Sequence, residues 1–162
     1  MAAEVTLCTS SAGRRSHCNG IAFDFVAATD LHVRALRLNG DWRHARVYTA
    51  PSGHGHRAVL GDWRCWAEVG ASRKRPGHAI DVLIALTQPV PIEAGKTRAF
   101  YVHAPQPGDR GIECVPTSRA DSVLATDSSL EIRGGTGRVG VAFDVPGSQP
   151  PGGGLGWWRP GC

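Results

Sequence analysis

The chain repeats one local pattern over most of its length: a strand-sized apolar segment, then a break at glycine, proline, asparagine or aspartate. Such segments fall at 5–9, 21–28, 32–38, 45–49, 63–69, 80–86, 97–103, 111–115, 129–133 and 138–145. Several alternate, as where Ile21, Phe23 and Phe25 share one face of an extended chain and Ala22 and Asp24 take the other. Alternation at period two is the mark of a strand with one face inward, and no long stripe at helical spacing competes with it. Short strands at regular intervals with turn residues between them predict an all-β fold. The expected architecture is an antiparallel β-sandwich, jelly-roll-like, of about ten strands.

With 162 residues there is material for one domain with a true core. The sandwich is expected over 1–145. From Pro146 the sequence turns into PGSQPPGGGLGWWRPGC, too rich in glycine and proline to offset its own ordering entropy except around Trp157 and Trp158, and a mostly flexible tail is expected over 146–162. Pro89 and Pro91 lack the amide proton that a central strand donates, so that stretch is expected at a sheet edge or turn.

The segment EIRGGTGRVGVAFDV contains GTGRVG, which has the spacing of a dinucleotide-binding loop. A phosphate cradle needs a helix to begin after the glycines, and the residues beyond Gly140 are instead the alternating Val141, Phe143 and Val145, closed by Pro146. The segment reads as strand, glycine turn, strand, a β-hairpin.

Whole classes of function are disfavoured by composition. No apolar run reaches the length of a membrane span, and the N-terminus lacks a secretory pattern, so no membrane insertion and an intracellular location are expected. The net charge is +4, but only Lys74 and Lys96 of the 18 basic residues are lysines and the arginines are scattered, so no specific nucleic-acid partner is expected. Arg73-Lys74-Arg75 reads as a solvated loop. The five cysteines, at 8, 18, 65, 114 and 162, have no C-x-x-C pair and are expected as thiols.

Among candidate sites, Gly53-His54-Gly55-His56 is the sharpest for a metal. Two histidines at i and i+2 of an extended segment share a face, and His44, His17 with Cys18, or Asp62 are the candidates for further ligands. A solvent-exposed loop is the competing and favoured reading, and no cofactor is expected. No nucleophile elbow occurs around Ser52, and Cys114 with His103 is the best thiol pair, each better read as a strand residue. With no active-site pattern, the chain is not expected to be an enzyme. Aromatic residues offer more: Trp42 beside a turn, and Trp63 and Trp66, three apart and so on opposite faces of a strand, are candidates to hold a ligand.

Taken in order, TLCTSSAGRRSHCNGIAFDFVA, VYTAPSGHGHRAVLGDWRCWAEVG, PVPIEAGKTRAFYVHA and LEIRGGTGRVG look like a β-sandwich module of microbial and algal proteins. That module in turn resembles the PHR-type sandwich of certain ubiquitin-ligase and BTB adaptor proteins. The resemblance covers about residues 5–143 and lies in turns and core positions, so it implies the fold and says little of chemistry. The family pattern closes with a tryptophan-glycine strand, whereas here Gly156-Trp157-Trp158-Arg159 either supplies a displaced version of it or leaves it missing. The function expected is a non-catalytic recognition module that binds a protein segment or a glycan. Trp42, Trp63, Trp66, Ser52 and Arg57 are the expected contacts, with a metal site on His54 and His56, or a structural role in a larger assembly, as alternatives.

Overall fold

A computed structural model describes residues 5–8, 16–56, 63–69, 81–104, 111–117, 122–138 and 157–160. They form eleven strands and no helix: β1 (Ser16–Cys18), β2 (Gly20–Ala27), β3 (Leu31–Asp41), β4 (Ala45–Thr49), β5 (Arg64–Val69), β6 (Asp81–Ile92), β7 (Thr97–His103), β8 (Gly111–Thr117), β9 (Val123–Thr126), β10 (Leu130–Arg138) and β11 (Trp157–Pro160). No helix of the described residues is long and apolar enough to cross a membrane.

The strands pair in the order β5-β4-β7-β2-β10-β11-β8-β3-β6, with β1 added to β8 and β9 to β10. The named ladders are all antiparallel. The path folds over on itself as a sandwich. One layer is β5-β4-β7-β2-β10 with β9, the other is β6-β3-β8-β1, and β11 bridges them between β10 and β8.

Alternation decides what lies between the layers. Phe23, Phe25, Phe100, Val47 and Val102 point inward from one layer and meet Leu36, Leu38, Ile84, Val90, Ile92 and Ile112 from the other. The three phenylalanine rings touch, with centroids 4.8 to 6.0 Å apart. Full burial of a ring of this size contributes about 1.5–3 kcal/mol, so this trio is a main anchor of the fold.

Where the strands differ from expectation, the cause is local. Val5 to Cys8 are described but form no strand, because Leu7 alone packs on the core while Val5 is exposed. The glycine run at 134–137 is not a hairpin turn. It lies inside β10, and the ladder with β2 shifts register between Arg133 and Thr136. Gly135 sits against the Ala22 carbonyl, into which any Cβ would run. A turn-like composition therefore serves a β-bulge, where two backbones approach too closely for a side chain. The second half of the expected hairpin, 139–145, lies outside the described residues.

Pro89 and Pro91 fall in β6, the last strand of the path, in keeping with an edge position. The strand runs on from the expected 80–86 to Ile92 because the ladder with β3 skips from Ala85 to Val90 and then resumes. Within the glycine- and proline-rich segment, Trp157 and Trp158 pair with Thr136 and Gly135 on one side and with Thr117 and Pro116 on the other. The remainder of 146–162, including Cys162, lies outside the described residues.

Candidate functional site

The connection from β4 carries Ser52, Gly53 and His54, all exposed, and it lies along the start of β7. Ala50 and Gly53 donate their amides to the carbonyls of Ala99 and Thr97, and Ala99 donates back to His54 at 3.2 Å. Its far end is pinned by Asp24. One carboxylate oxygen accepts the His56 amide at 2.7 Å, and the other lies 2.9 Å from His56 Nδ1, both groups being buried. Asp24 stands between Phe23 and Phe25 in a strand buried on both faces, so its carboxylate must be satisfied by something laid over the sheet. This connection supplies the donors.

The same geometry bears on the candidate metal pair His54 and His56. The segment turns instead of extending, so His54 faces solvent while His56 is buried against Asp24. The further ligands considered also go elsewhere: His44 is 3.6 Å from Glu68, His17 is 3.9 Å from Glu113, and Cys18 meets Cys114. Among the described residues no group of three or more metal-binding side chains converges. Asp62 and Arg57 lie outside the described residues.

The tryptophans separate into three environments. Trp42 is fully buried, so it offers no stacking surface; its ring lies across Gly40, where a Cβ would collide with it. Trp63 and Trp66 take opposite faces, as their spacing implies. Trp63 is half-buried on the outer face of the sheet, 6.0 Å from the Tyr101 ring, in a cluster with Tyr48 and Ala22. His103 stacks on Tyr101 at 5.5 Å on this same outer face, which separates it from Cys114 in the core and removes that thiol pair.

Trp66 points inward, at the side of the sandwich where the two end strands meet without a ladder. Thr87 Oγ1 on β6 donates to the Trp66 carbonyl at 2.8 Å, and Arg98 Nη1 on β7 donates to the Pro91 carbonyl at 2.9 Å. Arg98 Nη2 also reaches Thr49 Oγ1 at 3.3 Å. Two guanidinium groups lie over the Trp66 ring: Arg64 at 4.4 Å from its centroid and Arg98 at 5.7 Å. Each is within cation–π range. Neither has a carboxylate partner among the described residues, and Arg98 Nε is buried with no hydrogen-bond partner among them. Burial, and then the charge of Arg64, hold the Arg98 guanidinium below its ordinary pKa.

Two like charges beside one ring, with spare donors and no acid among the described residues, form an arrangement that a carboxylate or phosphate can complete. The exposed turn at Ser52 to His54 adjoins it, since His54 forms a parallel bridge to Arg98. Neither arginine was among the expected contacts. The signal available for Arg98 was its place in TRAFYV, where alternation puts it on the side of Phe100 and Val102, an odd position for a charge.

These features define an all-β sandwich with a cationic seam between its end strands. No protein-family model matches the chain, and no curated protein sequence matches it.

Proposed function

We propose that the chain is a non-catalytic recognition module that binds an acidic segment of another protein at the seam formed by Arg64, Trp66 and Arg98, with the Ser52 to His54 turn at its rim. The observation that carries this reading is the convergence of two guanidinium groups on one indole with no carboxylate partner among the described residues. Leaving like charges together costs free energy, and an incoming anion recovers it. The net charge of +4 also favours encounter with an acidic partner. The PHR-like resemblance agrees with a role in protein recognition by analogy of fold alone. A glycan is less well served, because Trp42 and Trp66 are buried and Trp63 is packed on Tyr101.

The test is fluorescence anisotropy with a labelled peptide of alternating glutamate and aliphatic residues, beside its glutamine counterpart, at low and high salt. The acidic peptide binds, weakens as salt rises, and loses most of its affinity to Arg64→Ala. Equal binding of the two peptides, or full binding by Arg64→Ala, ends the reading. Thermal stabilisation by a neutral sugar that Arg64→Ala leaves unchanged selects the glycan reading instead.

A further inference from the structure

Cys18 and Cys114 belong to neighbouring strands of the second layer, 96 positions apart in sequence, and their Sγ atoms lie 3.1 Å from each other. In the β1–β8 ladder Cys18 stands opposite Ile112, and Cys114 stands opposite Ser16. The two cysteines are therefore diagonal neighbours on one face, the face that meets the core. Both are buried, and both thiols lie within reach of the same carbonyl, that of Ile112, at 3.8 and 3.7 Å. Cys8 and Cys65, by contrast, are exposed, and Cys65 lies on β5 in the other layer.

We infer that Cys18 and Cys114 are a site of covalent modification, closing to an intramolecular cystine that ties β1 to β8. A disulfide needs its sulfurs at about 2.05 Å, so the gap to be closed is about one ångström. The strand that must move is favourable for this: β1 has three residues and, among the described residues, pairs only with β8, at the edge of its layer. Metal capture by the pair has less support, since no third ligand joins the two sulfurs among the described residues.

The reaction balances with a small-molecule disulfide, such as oxidised glutathione, as oxidant. The Cys18 thiol loses its proton, and the thiolate attacks one sulfur of the oxidant, releasing one glutathione thiolate and leaving a mixed disulfide on Cys18. Cys114, deprotonated in turn, attacks the Cys18 sulfur and releases the second glutathione thiolate. Two protein thiols lose two electrons and two protons, and one disulfide is reduced to two thiols. Within the closed sandwich neither sulfur is open to the reagent. The hydrogen bond with Cys18, followed by burial and the nearby charges of Cys18 and Glu113, also holds the Cys114 thiol well above the ordinary range, so that it stays protonated. The exchange therefore proceeds while β1 is open, during folding or by fraying of this edge, and closure of the sheet then protects the product.

The test uses the full chain with Cys8, Cys65 and Cys162 changed to serine, so that only the pair remains. It is refolded from denaturant in an oxidising glutathione buffer, then unfolded in an alkylating reagent and mapped by mass spectrometry without reduction. The expected product has no alkylated cysteine and a single peptide pair joined through Cys18 and Cys114. In the wild-type chain the same pair is linked while Cys8 and Cys65 take the alkyl group. Two alkylated cysteines after prolonged equilibration, stable mixed disulfides with glutathione, or wild-type links from Cys18 to Cys8 or Cys65 overturn the inference. Should the serine variant fail to fold, the wild-type map alone decides between these outcomes.

Discussion

Asp24 holds His56 through both of its carboxylate oxygens, one on the backbone amide at 2.7 Å and one 2.9 Å from Nδ1. A buried acid in the middle of a core strand thereby becomes the anchor for the connection that carries Ser52 and His54. Asp24→Ala removes the buried acceptor of the His56 amide and the partner of its ring, and is expected to cost about 3 kcal/mol or more. The turn should also show faster amide exchange at Gly53. A urea midpoint equal to the wild type would show that the pair does not anchor the turn.

Gly135 lies against the Ala22 carbonyl at the bulge of β10. Gly135→Ala cannot be relieved by a rotamer change, because the obstacle is backbone. It should lower stability by several kcal/mol, of the size reserved for core and backbone lesions, and leave little folded protein at 37 °C. Circular dichroism melts check this, and an unchanged midpoint would contradict the bulge.

Trp42→Ala should behave as a core truncation and not as the loss of a surface contact. The ring is fully buried, and its removal is expected to cost about 3–5 kcal/mol. Trp63, half-buried on the outer face, should cost less on the same substitution. Equilibrium unfolding of the two variants side by side tests the order.

Arg64 and Arg98 should separate in their effects on stability. Arg64 is exposed, and Arg64→Ala removes a cation–π contact worth about 0.5–1 kcal/mol while relieving its repulsion of Arg98. Arg98→Ala also removes donors to the Pro91 carbonyl and Thr49 at the seam, for an expected loss of about 1–3 kcal/mol. Equal losses in denaturant titrations would mean that Arg98 does not stitch the two layers.

The Cys114 thiol, raised above its ordinary range by the hydrogen bond with Cys18 and then by burial, gives stability a defined dependence on pH. The folded chain keeps this proton where the unfolded chain gives it up, so the contribution is whole below about pH 8.5 and declines as pH rises beyond it. The expected slope for one such thiol is about −1.4 kcal/mol per pH unit. Unfolding of the reduced and cross-linked forms of the variant with Cys8, Cys65 and Cys162 changed to serine, compared between about pH 8 and pH 10, isolates the effect, because its cross-linked form has no cysteine thiol to ionise. The cross-linked form should also be the more stable below pH 8, by about 3–5 kcal/mol for a loop this long. Parallel pH profiles would remove the role given to Cys114.

Much of the architecture was legible in the residues themselves. The alternation of Ile21, Phe23 and Phe25, the punctuation by turn residues, and the prolines of β6 all act locally, within a few positions of chain, and each constrains strand, break or edge without knowledge of partners. The opposed faces of Trp63 and Trp66 come from the same arithmetic of period two.

What sequence reading could not supply was which strands would lie side by side. Glycines that read as a turn became a bulge because β10 runs against Ala22 of β2. Trp42, beside a turn in sequence, was carried into the core across Gly40. Two histidines spaced for one metal were divided by a bend whose end is fixed by an acid 32 positions away. The arginine pair over Trp66 and the two core thiols come together only when distant strands close the sandwich. Local stereochemistry and hydrophobic alternation determined the elements, since both are properties of neighbouring residues. The sites belong to the tertiary structure, since they depend on pairings between strands that the order of residues does not state.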